Sequence, residues 1–322
     1  MNNYQDMIAR VTETICENVD NEKNYILVGD NSSGKSEVLK MVIEKCLDYP
    51  IYFIDSVNRT FDTNKVELVS KMYKNAKMDS ECVVRERIDA FNFNLQDVFN
   101  AAACIEQLYT KYSDKSMCMC KAFLNKDIQI VRENIGAGIA ENRVLIDGNE
   151  AKLSSGYQAV IRIFYEILFF CDVMNEKKWE KGFVVIDEVD EYLSPRYSAT
   201  ILNYLQKEFP KLNFLVTTHS LDLVESTRNI DLIILKESEY EIYTEEQLES
   251  MVSADDIFVN LFFEKKIIHQ SDNDVCDEQL RRLLNLKIAG MWDEKAEMEL
   301  HEIEYERILP HQKLIYKQIE EW

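Results

Sequence analysis

Two periods of hydrophobicity run through the chain. Short stretches at 24–28, 51–54, 183–186, 214–216 and 231–235 are apolar nearly throughout and rich in β-forming residues. Between them lie segments whose apolar residues recur at helical spacing. These are Met7, Val11, Ile15 and Cys16; Leu39, Val42, Ile43 and Cys46; Val160, Phe164, Ile167, Leu168 and Cys171; and Ile201, Leu202 and Leu205. Steps of three and four put each set on one helix face, whereas strands without a polar face are buried on both sides. Alternation of the two predicts an α/β fold around a mostly parallel sheet.

Three regions depart from that alternation. From 56 to 142 the pattern is irregular and mostly helical, with Phe91, Phe93, Leu95, Val98 and Phe99 as core candidates. No a/d heptad persists there, so it reads as an inserted packed lobe and not as a coiled coil. Residues 143–150 resemble a strand and a turn. Beyond 236 three helices are expected, around Leu280, Leu284 and Ile288, around Met298, Leu300 and Ile303, and around Leu314, Ile315 and Ile319. Pro310 suits a first helical turn. The expected division is an α/β domain over 1–236, with its helical lobe at 56–142, and a mainly helical module over 237–322.

Composition sharpens this picture. A chain of 322 residues, 46% hydrophobic and 30% charged, is that of a soluble globular protein. Its net charge of −21 argues against a surface that coats nucleic acid generally. Residues 237–322 hold 22 Asp/Glu against 9 Lys/Arg, more than half of that excess. Such a surface favours a basic protein partner, so this end is expected to dock a partner or complete an assembly; a solvated helical cap is the plainer reading. Eight cysteines lie scattered, mostly in apolar segments, and the N-terminus lacks a signal-peptide pattern. Both point to reduced thiols in a cytoplasm. Cys118 and Cys120 are too close for the usual zinc spacing. The most apolar run, 161–173, contains Arg162, Glu166 and Asp172 and is too short and charged to cross a bilayer.

The stretch Gly29-Asp30-Asn31-Ser32-Ser33-Gly34-Lys35-Ser36 reads G-x-x-x-x-G-K-S between the first strand and the Leu39 helix. In that setting it is a phosphate-cradling P-loop and not an ordinary glycine turn. Gly29 and Gly34 allow a tight fold in which N–H groups across Asn31, Ser32 and Ser33 face the β- and γ-phosphates. Lys35 adds a point charge, and Ser36 can offer its hydroxyl to Mg²⁺. The loop predicts binding of a nucleoside triphosphate.

The strand at 183–186 ends in Asp187-Glu188. Acids cap strands in many α/β folds, but after a P-loop they take Walker B roles. Asp187 would hold Mg²⁺, and Glu188 would orient and deprotonate the attacking water. Asp190 and Glu191 read as mostly solvated. His219 ends the next strand; a lone histidine is more often structural, yet its place after the P-loop and the acidic strand end points to sensing the γ-phosphate.

Leu153-Ser154-Ser155-Gly156-Tyr157-Gln158 precedes the Val160 helix, and Ser154 or Ser155 would cap its first turn whatever the function. Standing ahead of the Asp-Glu strand end and Thr217-Thr218-His219-Ser220, L-S-S-G-x-Q resembles the signature motif of ABC-type ATPases. The resemblance covers roughly 24–236, with four motifs in the proper order. It implies ATP and Mg²⁺ as ligands and a head-to-tail homodimer. Each ATP would lie between Lys35 and Ser36 of one subunit and Ser154, Ser155 and Gly156 of the other. A helix N-terminus aimed at the γ-phosphate would explain closure by ATP and not ADP.

Within the superfamily the nearest likeness is to compact bacterial ABC-type ATPases that work beside a nuclease or toxin in anti-phage systems. The Asp187-to-Pro195 run, Asp-Glu-x-x-x-x-Leu-x-Pro, resembles theirs. Transporter ATPases begin with antiparallel strands and an adenine-stacking aromatic; here a helix comes first and Tyr4 is a weak candidate. The Q-loop glutamine is not evident, with Asn58 nearest its place. SMC-like repair ATPases need a long coiled coil. No Toprim or HNH nuclease pattern occurs, so the effector is expected to be a separate protein, with nucleic acid open as a trigger and no membrane partner. A DNA-handling ATPase stays in play, with Arg85, Arg87, Lys111, Lys115, Lys121 and Lys126 as a candidate basic stripe. So do a transporter subunit and, more remotely, a P-loop kinase.

Overall fold

The computed structural model describes residues 3–19, 23–56, 59–66, 68, 105–136, 139–236 and 239–250, and, toward the C-terminus, 279–280, 283–284, 287, 292, 294–303, 305 and 310–321. Asn58, Arg85, Arg87 and the five core candidates between Phe91 and Phe99 lie outside the described residues. The chain divides into two compact units, 1–262 and 263–322.

The first unit is built on a six-stranded sheet. In chain order it contains α1 (Asn3–Cys16), β1 (Asn24–Gly29), α2 (Lys35–Lys45) and β2 (Ile51–Ile54). Next come α3 (Tyr109–Leu124), β3 (Ile128–Gly136), β4 (Ile139–Ile146), β5 (Asn149–Glu150) and α4 (Ser155–Lys177). The last elements are β6 (Gly182–Ile186), α5 (Pro195–Glu208), β7 (Leu212–Thr217), α6 (Leu221–Ser226), β8 (Ile230–Leu235), β9 (Tyr240–Tyr243) and α7 (Glu245–Ser250). The sheet order is β2-β6-β7-β1-β8-β9. The first five strands are parallel, and β9 pairs antiparallel with β8 at the edge. Every residue of β1, β2, β6, β7 and β8 is buried, which is why their sequences lack a polar face.

The sheet continues past residue 236, although the acidic composition starts there. An edge strand tolerates this: β9 is only half-buried, and Glu241 within it pairs with Lys236 at 2.6 Å. The 56–142 region also differs from its mostly helical expectation. Its described part holds α3, but β3 and β4 form an antiparallel hairpin that β5 extends. Ile128 and Ile130 point into the core while Gln129 does not, a period-two signal only a few residues long.

Helix α4 is buried on all sides from Ala159 to Phe170, including its two charges. Arg162 Nε meets Glu166 Oε1 at 2.7 Å, and Arg162 Nη1 reaches Glu106 Oε1 and the Thr60 carbonyl at 3.4 and 3.3 Å. Tyr52 OH donates to Glu166 Oε2, and Asp62 N–H donates to Glu106 Oε1. Buried charges need such satisfaction. Here it clamps the segment after β2 between α4 and the turn at 105–108. Among the described residues no helix is long and apolar enough to cross a membrane.

The second unit has α8 (Glu294–Glu302), α9 (Pro310–Glu321) and helical residues between 279 and 287. Leu280, Leu283, Ala296, Leu300, Ile303, Tyr316 and Ile319 form its core. Met298 is 62% exposed and not a core residue as expected. Ala296, Leu300 and Ile303 share a stripe by steps of four and three, and two residues from Ala296 turns Met298 to the other side. Ile288 and the side chain of Leu314 lie outside the described residues.

Candidate functional site

The P-loop turns from the carboxyl end of β1 into α2. Gly34 holds the left-handed conformation at φ 102°, and a Cβ there would sit 2.5 Å from Ile8 Cδ1 and 2.7 Å from Tyr4 OH. At Gly29 a Cβ would fall 2.4 Å from Ser33 Oγ and 2.8 Å from the Leu235 carbonyl. Both glycines are therefore demanded by close packing of the loop. No side chain caps the first turn of α2, leaving its N–H groups to a ligand or to water. The buried Ser33 hydroxyl has no hydrogen-bond partner within the described residues. A tight glycine cradle, an uncapped helix start and an orphaned hydroxyl fit a phosphate group. Lys35 folds back to donate from Nζ to the carbonyls of Gly29 and Asp30 at 2.8 and 3.1 Å. Burial lowers its pKa, opposed by the charges of Glu188, Asp187 and Asp30.

The acidic pair follows β6, two strands from β1 in the sheet. Glu188 has φ 47°, a conformation non-glycine residues adopt rarely, and the surroundings hold it there. Thr217, at the end of β7 and fully buried, bridges the turn. Its hydroxyl donates to Asp187 Oδ1 at 2.8 Å and accepts the Glu188 N–H at 2.6 Å. Val189 N–H donates to the Thr217 carbonyl and Asp187 N–H to that of Ile54. From the segment after β2, the buried Arg59 donates from Nη2 to the carbonyl oxygens of Asp187 and Glu188 at 2.5 and 3.4 Å. Burial pushes the Asp187 carboxyl up, opposed by hydrogen bonds from Thr217 and Ser56 and by the charges of Arg59 and Lys35. Burial also pushes Glu188, to about 7, with the charges of Asp187 and Glu191 adding to it.

His219 lies just past β7, with Nε2 3.8 Å from Glu188 Oε1, too long for a hydrogen bond. Burial and then the Lys35 charge lower its pKa, favouring neutral imidazole. Asp190 is not the solvated acid expected from the sequence. It accepts from the Thr218 hydroxyl at 2.6 Å, and Ser198 Oγ lies 3.3 Å from its other oxygen. Ser198 is also 2.8 Å from Ser220 Oγ, so the loop after β6 and the His219 loop are tied together. Glu191 shares a side-chain hydrogen bond with Glu188 and is likewise not simply solvated.

Ser154 caps α4, its Oγ accepting the Tyr157 N–H at 3.2 Å, and Gln158 Nε2 donates to the Leu153 carbonyl at 3.1 Å. Ser154 and Ser155 remain exposed. Gly156 lies where a Cβ would be 2.8 Å from the Tyr192 carbonyl, so the signature stretch abuts the loop that follows the acidic pair. Within the described residues Ser154, Ser155 and Gly156 make no hydrogen bond to the P-loop, Asp187, Glu188 or His219.

The structure thus gathers Lys35, Asp187, Glu188 and His219 at the carboxyl ends of the adjacent strands β6, β7 and β1. Ser36 lies in the first turn of α2 beside Lys35. Tyr4 does not stand free for a base; its hydroxyl donates to Glu37 Oε2 at 3.0 Å. The roles of Arg59 and Thr217 in holding the acidic turn were not read from the sequence. Thr217 left a signal, being a hydroxyl at the end of an otherwise apolar strand. No cluster of three or more His, Cys, Asp or Glu suited to a metal occurs within the described residues.

A parallel sheet with a P-loop, an acidic turn and a histidine on neighbouring strand ends, and a serine–glycine helix cap between them in sequence, is the arrangement that the resemblance to ABC-type ATPases leads one to expect. Sequence comparison finds distant relatives among bacterial proteins. The chain is 27% identical over 172 residues to the Septu protein PtuA of Bacillus mycoides, covering 52% of this chain and 21% of that one. It is 22% identical over 233 residues to the retron Vc95 probable ATPase of Vibrio cholerae, covering 65% and 42%. The chain spans less than half the length of these curated relatives. No protein-family profile matches it. Similar solved structures include a nucleotide-free ATP-binding cassette from an ABC transporter, at 16% identity and a TM-score of 0.40, covering 77% of this chain and 87% of that one. An SmcHead bound to the C-winged helix domain of ScpA matches at 12% and 0.37, covering 71% and 93%.

Proposed function

We propose that this chain binds and hydrolyses ATP and uses it as a dimerising switch that controls a partner protein in anti-phage defence. The observation that carries the hydrolytic part is the acidic turn. Glu188 is held in a rare backbone conformation beside a P-loop, with a carboxyl pushed up to about 7. A general base works best with a pKa near the operating pH. Lys35 and the open first turn of α2 bind the phosphates. Ser36 and the Asp187 carboxylate would hold Mg²⁺, which when bound neutralises phosphate charge. Glu188 takes a proton from the attacking water, and neutral His219 contacts the γ-phosphate. Ser154 and Ser155, exposed at the start of α4, and the half-buried Gly156 are left to meet the ATP of a second subunit.

The defence setting is supported by similarity to a Septu protein and to a retron ATPase. Residues 237–322, rich in carboxylates, would dock a basic surface of the effector, a separate nuclease or toxin. Paired assays test the hydrolytic core. Lys35→Ala loses ATP binding, while Glu188→Gln keeps binding and loses turnover by about 100- to 10,000-fold. Wild-type turnover by Glu188→Gln removes that residue from the base role.

A further inference from the structure

Helices α1 and α2 lie side by side and run the same way. At one end Tyr4 and Ile8 crowd Gly34, and Tyr4 OH donates to Glu37. At the other end Cys16, the last residue of α1, meets Cys46, the residue that follows α2. Their sulfurs are 3.2 Å apart and neither is in a disulfide. Lys45 and Glu13 form an ion pair beside them at 3.5 Å. Cys46 is buried and Cys16 half-buried, so a small oxidant can reach the pair from the Cys16 side.

We propose that Cys16 and Cys46 form a dithiol that a peroxide converts into an intramolecular disulfide, a modification site on the helix that backs the P-loop. The Cys16 thiolate attacks a peroxide oxygen and breaks the O–O bond, giving a sulfenic acid and one water. The Cys46 sulfur then attacks the Cys16 sulfur, closing the S–S bond and expelling the sulfenic oxygen as a second water. Two thiols lose two electrons and two protons, and one hydrogen peroxide is reduced to two waters.

Reactivity favours this pair over Cys120 and Cys171. The hydrogen bond from Cys46, and to a lesser degree Lys45, lower the Cys16 pKa against burial, and the thiolate is the reacting form. Burial instead pushes Cys120 to about 12 and Cys171 to about 11, which keeps them protonated. The disulfide would fasten α1 to α2 and hold Tyr4 and Ile8 against the loop, so redox state sets how freely the P-loop opens.

The test is peptide mapping of the wild-type chain after hydrogen peroxide treatment. The expected result is a peptide containing Cys16 linked to one containing Cys46, lost after dithiothreitol and absent in Cys16→Ala and Cys46→Ala. Amide hydrogen exchange across 29–36 should be slower in the oxidised wild type and unchanged by peroxide in either variant. Absence of the linkage, or Cys16 recovered as sulfinic acid or joined to another cysteine, overturns the proposal. Equal exchange in the oxidised and reduced wild type overturns its coupling to the P-loop. Neither readout depends on ATP turnover.

Discussion

The guanidinium of Arg59 donates to the main-chain carbonyl of Asp187 at 2.5 Å and to that of Glu188 at 3.4 Å. An arginine that is 2% exposed thus fixes the backbone of the acidic pair. The residues after it are held in turn, Thr60 through Arg162 and Asp62 through Glu106. Arg59 is a positioning residue, and its replacement should separate binding from chemistry. Arg59→Met is expected to keep ATP binding while lowering kcat about 100-fold, the scale of an ångström-sized misplacement. Nucleotide titration and steady-state kinetics check the split; equal losses in both would mean that the whole site has collapsed.

Thr217 offers a stability test. Its hydroxyl serves Asp187 Oδ1 and the Glu188 N–H at once, and it is completely buried. Thr217→Val keeps the shape and removes one hydrogen bond from each partner, leaving the Glu188 N–H without this acceptor. The expected loss is about 1–3 kcal/mol, read from urea unfolding, together with reduced turnover.

The Glu188 carboxyl, pushed to about 7, gives a pH prediction. The base form is the carboxylate, so kcat should rise with pH through a midpoint near 7. Glu191 is one of the groups pushing that carboxyl up. Glu191→Gln removes its charge, so the ascending limb should move to lower pH. A limb that stays in place or moves up contradicts the role given to Glu191.

Most of the sheet was legible because buried parallel strands have no polar face, and β1, β2, β6, β7 and β8 all read that way. The phosphate loop and the acidic strand end were legible for a different reason: their chemistry is local, carried by neighbours in sequence. Arg59 and Thr217 were not, since their value lies in reaching a turn more than a hundred and about thirty residues away, respectively. Asp190 looked like one more surface acid because its partners Thr218 and Ser198 come from other elements. The end of β4 and its turn were read at 143–150, but β3 escaped because its alternation is short, and β9 because an acidic edge strand has a loop's composition.

The dimerising switch makes the most direct demand. Ser154 and Gly156 start α4 without a hydrogen bond to this chain's own P-loop. If they close over a second subunit's ATP, a chain that binds but cannot hydrolyse should accumulate in pairs. Ser154→Arg, whose bulky cation would occupy the γ-phosphate's place, should bind ATP and stay unpaired. The deciding measurement is the light-scattering mass of Glu188→Gln with and without saturating ATP and Mg²⁺. The account predicts a monomer that becomes a dimer on adding ATP, an effect lost when Ser154→Arg is combined with it; a mass unchanged by ATP contradicts it.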